Sequence, residues 1–395
     1  MARRLVVCCD GTWNLADQPS KTNVTKVALA VLPRSADGTP QRVYYHSGVG
    51  TRRREHLRGG AFGVGLSHNV LSAYRFLVEN FEPGDDVFLF GFSRGAFTAR
   101  SLAGLINNSG ILRRRNAHRT KEAWALYRSR IEKPNGAAST LFRRAYAHET
   151  DIHFIGVWDT VGALGIPVPG PPWLAPVVRL VNRRWAFHDT DLGPRVRVAR
   201  HALAIDERRE AFRPTLWNQR PEAAASGQTL KQVWFTGVHC DIGGGERETG
   251  LSDIALLWMA EQARLAGLEF DAEAFSARGP AVMTPDRSID FRVRADPMGP
   301  VHESRTGLYR LFRPLHRPIG HREDSQYVSA TARRRYDSDP AYRESSPALA
   351  RYLTEPTRLD ITQVPLTAAA AGLVPQRVPR PATPARSASS SDVDH

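Results

Sequence analysis

The residues with the clearest capacity for chemistry are Gly91-Phe92-Ser93-Arg94-Gly95. An apolar run at 87–90 leads into them and a helical pattern at 96–106 leads away. Serine between glycines at minus two and plus two, on a turn from strand to helix, is the arrangement of a G-x-S-x-G nucleophile elbow. Its chemistry is acyl transfer. The glycines let the serine stand on a crowded, strained turn with Oγ clear of the sheet edge. The N-terminus of the following helix favours the negative charge that develops during attack. One of the two backbone donors that hold such an oxyanion comes from the residue after the nucleophile, here Arg94.

A serine nucleophile needs a base and an acid to orient it, and hydrolases with this elbow place them in the chain order serine, acid, histidine. Of thirteen histidines, His46, His56 and His68 precede Ser93 and are poor candidates by order. His239 ends an aromatic, β-branched run at 232–238, and the glycines of Asp241-Ile242-Gly243-Gly244-Gly245 follow it. Asp159 ends the apolar run 152–158 in the same way. Active sites of parallel sheets lie beyond the carboxyl ends of strands. Ser93, Asp159 and His239 therefore form the leading constellation. Asp241 competes for the acid role or orients His239 from behind, and His302 competes as base.

The second oxyanion donor is expected from Asp10-Gly11-Thr12, the turn after the first strand. Gly11 and Thr12 are the candidates there. Asp10 also opens an alternative, because phosphatases use an aspartate after the first strand as a metal ligand. A metal-dependent phosphoesterase built on Asp10 and Asp241 would tolerate loss of Ser93, although no further Asp/His set has metal-ligand spacing. The serine chemistry itself needs neither metal nor organic cofactor.

These side chains require a scaffold of buried strands. Runs at 5–9, 43–46, 87–90 and 152–158 are apolar without alternation, as strands covered on both faces are. The run 232–238 is a fifth. Helical spacing recurs at 66–81, 96–106 and 255–266, with Pro83-Gly84 stopping the first. Strands alternating with helices predict an α/β fold: a mostly parallel central sheet flanked by helices, with right-handed crossovers. Insertions are expected after the acid-bearing strand and in the C-terminal half. The proline-rich stretch 166–172 excludes regular structure, and 285–345 resists assignment. Residues 173–185, apolar with tryptophan at both ends and arginines at the close, fit a core helix or an interfacial lid. The sequence thus predicts one catalytic domain over 1–368, with a lid or interfacial insertion about 165–190. A disordered alanine-, proline- and serine-rich tail is expected over 369–395.

Five motifs in order carry a family resemblance. They are Cys8-Cys9-Asp10-Gly11-Thr12-Trp13-Asn14, Phe90-Gly91-Phe92-Ser93-Arg94-Gly95-Ala96 and Val157-Trp158-Asp159-Thr160-Val161-Gly162. His201-Ala202-Leu203-Ala204-Ile205-Asp206-Glu207-Arg208-Arg209 follows, then Trp234-Phe235-Thr236-Gly237-Val238-His239-Cys240-Asp241-Ile242-Gly243-Gly244-Gly245. Over residues 3–350 the chain resembles the Tle-type α/β-hydrolases, which include catalytic domains of type VI secretion phospholipase effectors. The resemblance implies an esterase with Ser93 as nucleophile, Asp159 as acid and His239 as base, acting on an ester or phospholipid. It leaves the charged segment 201–209 as a family signature, which by itself reads as an ion-pair network joining parts of the fold.

Composition narrows the remaining classes. Over 395 residues, 42% hydrophobic and 24% charged residues fit a globular chain and exclude wholesale disorder. No apolar run nears 18 residues, so a transmembrane helix is not expected, and the run after Arg3-Arg4 is too short for a signal peptide. Three cysteines provide no disulfide framework, and a cytoplasmic site of synthesis is expected, compatible with export by a specialised secretion system. The net charge of +14 is almost wholly arginine, with five lysines among 54 basic residues. Arginine spread along the whole chain lacks the local blocks of a nucleic-acid binder, so no nucleic-acid partner is expected. Peripheral contact with an anionic membrane fits the charge. A non-catalytic basic binding protein is the remaining alternative.

Overall fold

The structure, a computed structural model, describes residues 2–11, 20–48, 61–129, 131–162, 191–276, 291–320, 325–354 and 360–373. Thr12, the insertion at 165–190 and residues 374–395 lie outside the described residues.

Eight strands form the central sheet: β1 Arg4–Cys9, β2 Gln41–His46, β3 Asp86–Phe92, β6 Ile152–Trp158, β7 Val196–Ala204, β8 Thr229–Phe235, β9 Gln326–Ser329 and β10 Ile361–Thr362. Two short strands, β4 Ile111–Leu112 and β5 Ala147–His148, pair antiparallel beside it. The order across the sheet is β2-β1-β3-β6-β7-β8-β9-β10, and every neighbouring pair is parallel. This is an α/β-hydrolase-like architecture. The chain lays β2 on one side of β1 and β3 on the other, so the strand order reverses there. Such a reversal opens a crevice beyond the strand carboxyl ends.

Continuous apolar strands result because both faces are covered. On β1, Val6 and Cys8 pack with α1 (Asn23–Ala30) and the helix Gly250–Leu265. Leu5, Val7 and Cys9 pack on the opposite face with α2 (Ala61–Asn80) and α3 (Arg94–Ser109). A smaller cluster around Trp234, Val328, Tyr342 and Tyr352 closes the far edge.

Three elements depart from the sequence expectation. β7 carries Arg197, Arg200 and His201 in its run, which hides its apolar pattern. Arg200 is buried there because Gln262 Oε1 accepts from its Nε at 2.7 Å and the Ala199 and Thr229 carbonyls accept from Nη1. β8 begins and ends three residues earlier than the expected 232–238, because Gly237 turns the chain at φ +119°. The packed chain also extends beyond residue 369. Ala371 and Leu373 are buried in the core, and the Ala371 carbonyl accepts from Arg264 Nε at 3.0 Å, so the tail does not begin there. An alanine-rich composition conceals residues small enough to seat against a helix.

One buried ion pair joins the two helices on the first face. Lys26 Nζ lies 2.6 Å from Asp253 Oδ1, both side chains at most 2% exposed. Asp253 Oδ2 also accepts from Thr249 Oγ1 and from the Arg294 N–H. Removing one partner strands the other charge in low dielectric, which costs about 3–5 kcal/mol, whereas an apolar pair of similar volume is close to neutral. Lys26→Met is therefore expected to lower the urea midpoint strongly, and Lys26→Met with Asp253→Leu to recover most of it.

Candidate functional site

The elbow forms where β3 ends at Phe92 and α3 begins at Arg94. Ser93 between them has φ 59° and ψ −119°, outside the conformations that a serine prefers. Its N–H donates to the Trp158 carbonyl at 3.0 Å, and its carbonyl accepts from Phe97 N–H at 3.2 Å. Both flanking glycines are sterically required. A Cβ on Gly91 would stand 2.5 Å from the Gly95 carbonyl oxygen, and one on Gly95 would stand 2.0 Å from that of Cys9. Gly95 thereby lets α3 start directly against the end of β1, at the strand-order reversal.

Asp159, at φ 38°, is with Ser93 one of only two non-glycine residues at positive φ among the described residues. Strain of this kind concentrates at functional sites, where surrounding contacts hold it. The Asp159 N–H donates to the Ala202 carbonyl, and the following Thr160 N–H donates to His201 Nε2 at 3.1 Å. His201 is fully buried, and burial pushes its imidazole down to about 3. It is neutral, with Nδ1 donating to Gln232 Oε1.

His239 opens the short helix His239–Gly243 after the Gly237 turn. Its Nε2 lies 2.8 Å from Ser93 Oγ and its Nδ1 lies 2.6 Å from Asp159 Oδ2. With Asp159 ionised, Nδ1 carries the proton and donates, leaving Nε2 to accept from the serine hydroxyl. The imidazole is packed between the rings of Phe92, 4.7 Å away, and Phe212, 4.8 Å away and edge-on. Its backbone N–H donates to Glu207 Oε2 at 3.3 Å. Glu207 in turn accepts two hydrogen bonds of 2.8 Å from the Arg209 side chain and one from Ser304 Oγ. The Arg209 guanidinium lies 3.6 Å from the Phe212 ring. The segment after β7 is thus an ion-pair network, and it packs directly around His239.

Electrostatics follow from this packing. Burial pushes the Asp159 carboxyl up, but the Arg317 charge and the hydrogen bonds from His239 and Arg317 outweigh it and hold the group well below the ordinary carboxylate range. Burial pushes the His239 imidazole down, and the hydrogen bond and charge of Asp159 recover only part of that. At neutral pH the site therefore holds a carboxylate and a neutral imidazole.

The other candidates stand elsewhere. Asp241 accepts from the Val238 N–H and pairs through Oδ1 with His302 Nδ1 at 2.5 Å; His302 Nε2 faces Glu248 at 3.4 Å. These two residues bond to each other rather than entering the Ser93–His239 relay, which corrects their expected competition for the acid and base roles. His302→Ala is expected to leave ester hydrolysis within about threefold of wild type, measured as kcat/KM on a soluble ester. Asp10 is buried and accepts from Thr22 Oγ1, Thr25 Oγ1 and Tyr45 Oη at 2.6 to 2.9 Å, so it knits β1, α1 and β2 together. Its Oδ1 accepts from the Gly11 N–H at 2.6 Å, which engages the donor expected for an oxyanion. Arg94, as the first residue of α3, has its backbone N–H in the turn where helix amides lack intrahelical acceptors. No group of three or more His, Cys, Asp or Glu side chains converges to hold a metal ion among the described residues.

Arg317 is the residue that sequence reading missed. It is fully buried and reaches Asp159 from 158 positions away, with no local motif to mark one arginine among so many.

Residues 244 long in alignment are 33% identical to the uncharacterized protein YEL023C of Saccharomyces cerevisiae, covering 55% of this chain. The chain spans about a third of the length of that relative. A solved structure of an uncharacterized protein from Pseudomonas aeruginosa aligns at TM-score 0.40 and 18% identity, over 74% of this chain and 49% of that one. Residues 3–262 match the family described as T6SS, phospholipase effector Tle1-like, catalytic domain, a stretch that holds Ser93, Asp159 and His239. The chain therefore belongs to the Tle1-like family of type VI secretion phospholipase effectors, with the catalytic domain as the matched part.

Proposed function

We propose that this protein is a serine hydrolase of carboxylic esters, with phospholipids as the substrate class, working through Ser93, His239 and Asp159. The observation that carries the reading is the continuous relay from Ser93 Oγ to His239 Nε2 at 2.8 Å and from His239 Nδ1 to Asp159 Oδ2 at 2.6 Å. In the first half-reaction Ser93 Oγ attacks the ester carbonyl carbon while its proton passes to His239 Nε2. The oxyanion develops beside the N-terminus of α3, where the Arg94 N–H and the helix dipole favour negative charge. Collapse breaks the ester bond, and His239 returns the proton to the departing alcohol. Water then attacks the acyl-Ser93 carbonyl with His239 as base, releasing the fatty acid and restoring the serine. The lipid assignment draws on the family description. Export through a type VI apparatus belongs to the same reading.

A fluorophosphonate probe tests it, because such probes phosphonylate activated serines. Wild type is expected to label stoichiometrically and Ser93→Ala not at all. Fatty-acid release from phosphatidylglycerol and phosphatidylethanolamine vesicles, compared with a soluble short-chain ester, then tests the lipid class. Absence of labelling in folded wild type would sink the hydrolase reading.

A further inference from the structure

We propose that Arg317 is a positioning residue for the acid of the relay: its guanidinium clamps both oxygens of Asp159 and fixes the carboxylate that faces His239. The proposal rests on the serine-hydrolase reading above and adds a residue to it. Arg317 lies outside residues 3–262, the stretch matched to the family's catalytic domain. The matched stretch contributes the three relay groups, and a later part of the chain contributes the cation beside their acid.

The geometry is a fork. Arg317 Nη1 donates to Asp159 Oδ1 at 2.7 Å and Nη2 to Oδ2 at 3.0 Å, with both side chains fully buried. Nη1 also donates to the Ala204 carbonyl at the end of β7, and Nη2 to the Phe212 carbonyl. A planar guanidinium bound at two oxygens fixes the plane of a carboxylate, which a single point charge cannot do. The Ala204 N–H adds a bond to Oδ1 at 3.1 Å, and His239 meets Oδ2. Each carboxylate oxygen thus has Arg317 and one further donor. The same guanidinium anchors Phe212, whose ring covers the imidazole edge-on.

The clamp has an electrostatic consequence. His239 faces Asp159 after β6, Glu207 and Arg209 after β7, and Ser93 at the elbow, with Cys240 and Asp241 following it on its own helix. Arg317 stands behind Asp159. Asp241 is paired with His302, so Asp159 and Glu207 balance Arg317 and Arg209 while the imidazole is neutral. Removing Arg317 leaves an excess of negative charge, which favours the imidazolium. The acid limb of the pH–rate profile should then move to higher pH.

The test compares wild type, Ser93→Ala, Arg317→Met and Arg317→Lys. The readouts are the rate of fluorophosphonate modification across pH and kcat and KM on a soluble ester. Arg317→Met is expected to lose about 100-fold in kcat with little change in KM, because a displaced catalytic group costs rate rather than binding, and its acid limb should rise. Arg317→Lys keeps the charge without the fork, so it should lose about tenfold and keep the wild-type limb. Both variants within about threefold of wild type, or an Arg317→Met loss with an unmoved limb, would overturn the proposal. Should Arg317→Met fail to fold, Arg317→Lys decides: wild-type rate overturns the fork, and a tenfold loss at an unmoved limb supports it. Wild-type labelling that survives Ser93→Ala overturns the hydrolase reading as well, which separates that failure from this one.

Discussion

Ser93→Ala and His239→Ala are each expected to reduce ester hydrolysis by on the order of a millionfold in kcat, and the double variant by no more than either. The reason is that the two groups act as one device. Without Oγ, the imidazole has no proton to take, and without the imidazole, the hydroxyl stays a weak nucleophile. Steady-state kinetics on a soluble ester measure this. A double variant whose losses multiply would show that the two side chains act independently, against the 2.8 Å contact between them. The wild-type pH profile follows from the same pair. Burial lowers the proton affinity of His239 below that of a free imidazole, near 6.5. The imidazole must be neutral to accept the serine proton, so the acid limb of kcat/KM is expected below that value, and rate falls as pH drops through it. A limb displaced above it would mean that Asp159 outweighs the cost of burial.

Much of this arrangement was legible in the sequence, and the parts that were not share a physical cause. Continuous apolar runs identified β1, β3 and β6, because a strand covered on both faces has no polar alternation to confuse it. Glycines at 91 and 95 identified the elbow, because no Cβ fits there. Chain order selected Asp159 and His239. β7 stayed hidden because Arg200 and His201 are satisfied by partners from other elements, Gln262 and Gln232, which a linear pattern cannot reveal. The separate Asp241–His302 pair was invisible for the same reason, being a contact across 61 positions. Arg317 is the extreme case. Its role depends on meeting one carboxylate in space, and its neighbours in sequence carry no periodicity that predicts the meeting.

On the reading proposed above, Asp159→Asn is expected to cost about 10⁴-fold in kcat, the loss that follows removal of the orienting acid from a Ser-His-Asp triad. An amide accepts through one atom and donates through the other. Where the asparagine presents its NH₂ to His239 Nδ1, the imidazole must move its proton to Nε2 to avoid two facing donors, and Nε2 is then no base. Arg317 would at the same time lose the counter-charge that both of its donors face. A buried guanidinium left against a neutral amide destabilises the fold by about 3–5 kcal/mol. Asp159→Asn should therefore lose stability as well as rate, whereas Ser93→Ala, which deletes a hydroxyl and no charge, should lose rate alone. Denaturant midpoints set against kcat for the two variants separate these effects. The pH dependence adds a sign. Because the folded-state pKa of Asp159 is depressed, its contribution to stability is full above the ordinary carboxylate range near 4 and is lost as pH falls below it. The stability gap between wild type and Asp159→Asn should accordingly narrow on acidification below about pH 4. A gap that stays constant to lower pH would place the source of the destabilisation in packing rather than in the charge pair.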